Sequence, residues 1–263
     1  MKNLTLILIS IFLINCSVKN NLKNDLITNN LKGKVKSIKV LQYKAVKTNG
    51  IIKKEKFKNT NGAVTVDNFV FFNKQGMITE VQQFISDKLR IKYLYIYDKK
   101  MNILKKESYD LKEKLIDVSN YKNTLNSKGE KIEEKEFMTR KGSEKVCIKK
   151  IFANQTLIKE ITYIDYSNDK IYEIKEYTYD KNENLIKESQ NSSDGSIYMK
   201  ILKEYDENGR IILTMSYNSE NELFSKKIYK YLKSDNYNNW TKNIIYENNE
   251  PKTIIEREIE YYQ

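Results

Sequence analysis

The chain has 263 residues and a formal net charge of +12, with 47 Lys and Arg against 35 Asp and Glu and no histidine. Without histidine there is no Ser-His-Asp or Cys-His pair, no imidazole metal ligand and no ordinary neutral-pH base, and two cysteines are too few for a zinc cluster. The basic excess does not mark a nucleic-acid binder: it is nearly all Lys interleaved with Glu, and Arg, whose planar fork reads phosphate and guanine, occurs only at 90, 140, 210 and 257.

The first three residues, Met1-Lys2-Asn3, precede a mostly apolar run from Leu4 to Ile14, the pattern of a secretory signal peptide. That run is too short to remain as a spanning helix, which needs roughly 20 residues. Leu13-Ile14-Asn15-Cys16 resembles the lipobox of bacterial lipoproteins, where the cysteine is diacylated and becomes the mature N-terminus; Asn15 departs from the small residue usual at its position. The resemblance implies a signal peptide over 1–15 and a membrane anchor at Cys16. Ser17 after the cysteine implies the outer membrane as destination. Residues 16–30, rich in Asn and Lys, read as the lipidated N-terminus and a flexible tether, leaving 31–263 as a single β domain. Once Cys16 is lipidated, Cys147 has no disulfide partner and reads as a small buried hydrophobe in Val146-Cys147-Ile148.

The folded part opens with β-rich sequence from Val35 to Ala45. Asn49-Gly50 then predicts a hairpin with Ile51 to Phe57 as its return strand. Asn61-Gly62 predicts a further turn before the strand ending at Phe72. From there a repeat takes over. Its clearest copy is Tyr205-Asp206-Glu207-Asn208-Gly209-Arg210-Ile211: a strand end, a turn of backbone-bonding Asp and Asn with a permissive Gly, and a new strand. The tyrosine slot recurs at Phe72, Tyr97, Leu125, Phe152, Tyr179, Tyr205 and Tyr231, at steps of 25, 28, 27, 27, 26 and 26 residues. A second turn follows each return strand, as at Ser86-Asp87-Lys88, Arg140-Lys141-Gly142, Ser193-Asp194-Gly195 and Asn218 to Asn221. Two strands and two turns fill the period, which predicts successive hairpins rather than helix pairs. Tyr93, Tyr95 and Tyr97 share a strand face, as do Tyr177 with Tyr179 and Tyr229 with Tyr231. The last unit places Trp240, the only tryptophan, where other units have an aliphatic residue, so it reads as a cap on the array. Pro251 falls in a late turn.

The units YDENGRI at 205–211 and YDKNENL at 179–185 resemble the YD (RHS) repeat of bacterial surface and toxin proteins. The chain's two ends are similar to those of YD-repeat lipoproteins of the Bacteroidetes and Fusobacteria type. Met101, Thr156 and Glu183 stand where the family has its turn glycine, and Leu125 and Phe152 stand for the tyrosine. The resemblance implies a repeat β fold in a surface context and carries no activity.

The expected fold is all-β: an antiparallel meander of some 14 to 17 strands with a period of about 26 residues, forming a curved open sheet or half-barrel, with a closed barrel as the alternative. Dense Lys and Glu on the strands speak against a lipid-facing wall. No catalytic constellation, metal site or cofactor loop emerges, and the repeat aspartates are explained by turn bonding. The functional expectation is a non-enzymatic, lipid-anchored cell-envelope protein with no cofactor, which presents an aromatic β face to a protein or glycan. Tyr95, Tyr97, Tyr177, Tyr179, Tyr205, Tyr229 and Tyr231 would form that face. An immunity-type inhibitor of an envelope-acting toxin is the alternative.

Overall fold

The computed structural model describes residues 24–57, 66–138, 145–153, 156–164 and 170–263. The signal peptide, Cys16, and the Asn61-Gly62 and Arg140-Lys141-Gly142 turns lie outside the described residues. A one-turn helix, α1 (Asp25–Thr28), precedes the strands. The strands begin with β1 (Val35–Thr48), β2 (Ile51–Glu55), β3 (Asp67–Phe72), β4 (Ile78–Ile85), β5 (Lys88–Tyr97) and β6 (Ile103–Tyr109). Next come β7 (Leu115–Leu125), β8 (Lys131–Met138), β9 (Lys145–Ala153), β10 (Thr156–Ile164), β11 (Ile171–Tyr179) and β12 (Leu185–Asn191). The series ends with β13 (Ile197–Tyr205), β14 (Ile211–Asn218), β15 (Leu223–Ser234), β16 (Trp240–Glu247) and β17 (Glu250–Tyr261).

Every pairing is antiparallel, and from β3 each strand pairs with the next as far as β17. β1 closes the circle. It pairs with β17 on one edge and, over Ser37–Val40, with β3 on the other. The result is a closed 16-strand barrel, with β2 flaring off the ring on the far half of β1, Lys44–Thr48. The expectation of a curved open sheet or half-barrel is corrected here. An open meander this wide would leave two edges of unpaired N–H and C=O groups, and closure removes both. The seam is chemically matched: Ile38 faces Ile259, and Lys39 faces Glu258 with their charges 3.5 Å apart. Substantial contacts run between hydrogen-bonded neighbours, so the wall is a single layer, as a barrel of this strand number requires.

The hairpin turns share one construction. At Asn73, Asp98, Asp110, Asn126, Asp180, Asp206, Asn218 and Asp235 the backbone N–H donates to the carbonyl four residues on, and the carbonyl accepts from the N–H three residues on. The Oδ1 of each of these side chains accepts from the backbone N–H groups two and four residues ahead, as at Asp98 (2.8 and 2.8 Å) and Asp206 (3.0 and 2.9 Å). The fourth residue must take positive φ: Gly209 does so at 71°, but Met101 and Glu183 do so at 65° and 63°. The short polar side chain at the first position sets the turn, and the turn's own backbone does not demand glycine at the fourth.

The segment read as tether is not free at its end. Leu26 of α1 is buried with Leu31, Val35, Ile38 and Phe72, forming the largest apolar cluster among the described residues. Asn24 donates to the Gln75 carbonyl (2.7 Å), and the Ile78 N–H donates to the Asp25 carboxylate (2.6 Å). Asn30 donates to the carbonyls of Asn208 and Gly209. A Cβ at Gly76 would stand 2.5 Å from the Asn24 amide nitrogen, so the turn needs glycine there for close approach. Residues 24–31 thus plug the rim that carries the tyrosine-slot turns.

Two smaller expectations change with closure. Trp240 does not cap an array end, because β17 pairs with β1 and no end exists. Pro251 lies in β17, paired with Tyr246 at a register shift where the missing N–H is tolerated. Cys147 is buried, as the sequence indicates.

The tyrosine-lined lumen as candidate functional site

Residues paired across an antiparallel ladder share a face, so the register sorts the wall into two surfaces. One faces a common cavity of about 1700 Å³ inside the barrel, beneath the plug. Of the tyrosines read as an aromatic face, Tyr95, Tyr97, Tyr179, Tyr205, Tyr229 and Tyr231 line this cavity. Tyr177 sits two residues below Tyr179 on the same face, opposite Glu188. The structure therefore brings the set together, on the inside of a barrel rather than along an open platform.

The slot tyrosines have a structural duty as well. Their hydroxyls donate to a carbonyl at the start of the preceding return strand: Tyr97 to Ile78 (2.8 Å), Tyr179 to Leu157 (2.7 Å), Tyr205 to Leu185 (2.8 Å) and Tyr231 to Ile211 (2.9 Å). Each sits at a register shift, where the bulge swings the ring across the neighbouring hairpin. Burial pushes the hydroxyls of Tyr205 and Tyr231 up to about 12, and Tyr97 higher still, so all stay protonated donors. Tyr95 has no such carbonyl partner; its ring and that of Tyr93 flank the Lys106 ammonium, 3.9 Å from the Tyr93 centroid.

Charge on the lumenal face is largely tied in pairs. Lys131 meets Glu133 (3.8 Å), Lys150 meets Glu160 (3.8 Å), and Lys175 meets both Glu160 (3.8 Å) and Glu173 (3.3 Å). Burial raises the Glu133 carboxyl against the pull of Lys150 and Lys131. Burial also depresses Lys106, with Lys135 beside it adding repulsion. At the plugged rim a ladder of rings and cations climbs the wall. Asp206 holds Arg210 (2.7 Å), whose guanidinium lies 4.7 Å from the Tyr231 centroid. Tyr231 packs on Trp240 at 5.5 Å, and Arg257 lies 3.5 Å over the Trp240 ring. Sequence reasoning passed over Arg257, although its alternation with Ile255 and Ile259 places all three on one strand face. Among the described residues no group of three or more Cys, Asp or Glu side chains is arranged to hold a metal ion.

The opposite face of the wall is charged on nearly every strand, with cross-strand pairs such as Lys39–Glu258, Lys149–Glu134 (3.3 Å), Lys159–Glu176 (3.3 Å) and Lys242–Glu256 (2.9 Å). An apolar patch there gathers Ala45, Ile244 and Ile254 with Tyr43, Ile52 and Tyr246, next to the flaring β2.

Fold and site together define a closed antiparallel β-barrel with a polar, aromatic lumen. Neither a protein-family profile nor a curated protein matches the chain. A porin-like protein from Bacteroides uniformis is similar in structure, with a TM-score of 0.47 and 12% identity, over 87% of this chain and 98% of that one.

Proposed function

We propose that this protein is a non-enzymatic, lipid-anchored barrel of the bacterial cell envelope that stands in water and takes a glycan into its tyrosine-lined lumen. The observation that carries the reading is the contrast between the two faces of the wall. Inside, tyrosine rings and paired charges surround a cavity of about 1700 Å³, larger than the roughly 300–1,000 Å³ typical of small-molecule sites. Outside, Lys and Glu stand on nearly every strand, where a lipid-facing wall would lose about 2–4 kcal/mol for each midplane Lys. The lumenal carboxylates Glu133, Glu160 and Glu173 are tied to lysines, which suits holding a ligand better than transferring protons. Lipidation at Cys16 supplies the membrane attachment that the wall does not, and the YD-type repeat fits an envelope setting.

Two measurements test this. The chain beginning at residue 17 should remain in the aqueous phase on detergent phase partition, while the lipidated chain enters the detergent phase; an unlipidated chain that partitions into detergent would contradict the water-facing wall. Immobilised protein should retain material from an envelope extract that survives protease and is lost after glycosidase. Retention of a protease-sensitive partner alone would overturn the glycan reading in favour of a protein ligand.

A further inference from the structure

Arg257 is a partly buried guanidinium with no anion beside it among the described residues. It sits on the lumenal face of β17 opposite Val40, flanked on that face by Ile255 and Ile259. Its Cζ lies 3.5 Å from the Trp240 centroid, and its buried Nε has no hydrogen-bond partner. Asn243, 2% exposed and also lining the cavity, has a buried Oδ1 that is equally unpartnered. Several other lumenal cations, unlike Lys106, are paired with an anion. Arg210 has Asp206, and Lys131, Lys150 and Lys175 each have a glutamate. Burial lowers the Arg257 guanidinium to about 10, with only Tyr231 nearby to oppose the shift, so it stays charged at neutral pH. Holding a partly buried charge without a counter-ion costs free energy, and so does leaving its fully buried Nε without a hydrogen bond.

We propose that Arg257, Trp240 and Tyr231 form a subsite for the carboxylate of an acidic sugar carried by a glycan in the lumen. This rests on the lumenal glycan reading above and narrows it to one ligand class. A guanidinium fork takes a carboxylate through two parallel hydrogen bonds, and its contact with the Trp240 ring holds the fork in place in advance. Tyr229 on β15 and Tyr205 on β13, both lining the same cavity, supply ring faces for adjoining sugars. Bare phosphate or sulfate would use the fork but not these rings.

Trp240, the only tryptophan, is a built-in reporter. The full chain is titrated with a galacturonic acid oligosaccharide, with its methyl-esterified form and with inorganic phosphate, following tryptophan emission. The acidic oligosaccharide should give a saturable change, with the ester and phosphate each weaker by at least about tenfold. Arg257→Lys, which keeps the charge but not the fork, should weaken binding of the acid by about tenfold or more. Arg257→Gln should erase the preference for acid over ester, with the strand circular dichroism of both variants unchanged. Equal binding of acid and ester by the native chain would overturn the subsite while leaving a glycan-binding lumen in place. Phosphate binding as tightly as the oligosaccharide would also overturn it, as a bare anion site. If no saccharide gives a saturable response, the subsite and the lumenal reading fail together.

Discussion

At the residue scale, the slot tyrosines do two things with one side chain: the ring faces the lumen and the hydroxyl staples two hairpins. The two roles separate by substitution. Tyr205→Phe leaves the Leu185 carbonyl without its donor and should lower unfolding stability by about 1 kcal/mol. Tyr95→Phe, on the same face and without a carbonyl partner, should change stability by less than about half that. Chemical denaturation of the two variants checks the difference. Met101 shows the opposite relation between residue and backbone, since its φ of 65° is one that glycine adopts more easily. Met101→Gly should therefore raise stability by about 1 kcal/mol in the same assay. Which tyrosines share a face was legible in the sequence from their spacing of two. That the slot tyrosines would be hydrogen-bonded was not, because their acceptors lie about twenty residues away on a hairpin whose bulge no local pattern announces. Arg257 was illegible for a related reason: its significance lies in the absence of a partner, which only the assembled wall shows.

At the scale of the element, the hairpin is the unit, and its turn chemistry was the clearest signal in the chain. The sequence indicated Asp and Asn bonding their own backbone, and the structure repeats that arrangement on both rims. The turn at Asp110 belongs to the same set, although with Glu113 in the glycine position it carries no glycine to flag it. These turns also predict a pH response. Hydrogen bonds from Asn102 and Asn184 hold the Asp98 and Asp180 carboxyls below their ordinary value of 3.8. A group whose folded value is depressed contributes stability above its unfolded value and loses it as pH falls through the folded one. Stability should therefore hold from neutral pH to near 4 and decline below 3.8, and Asp180→Asn should flatten part of that decline. A decline that begins near pH 6 would point to other groups. The plug was missed for a compositional reason: residues 24–30 look polar and tether-like, and a single leucine, Leu26, with three asparagine and aspartate contacts is enough to seat them.

At the scale of the whole molecule, the sequence carried the strand count and the antiparallel meander but not the closure. Closure depends on β1 meeting β17 across more than 200 residues of chain, and no periodicity encodes whether a long twisted sheet ends one strand short of itself. It decides where the tyrosines stand: the same rings that would form a platform on an open sheet become the lining of a lumen. The most direct measurement is a cross-link at the seam. In Lys39→Cys/Glu258→Cys the two positions are ladder partners, at the roughly 4.5–5.5 Å Cα separation of antiparallel pairs, within disulfide range. Mild oxidation followed by non-reducing peptide mass analysis should recover the 39–258 disulfide in most molecules, within single chains. An open sheet or half-barrel would hold the two positions on opposite edges, and its signature would be free thiols or cross-links only between chains. That result would contradict the barrel and the lumenal site with it.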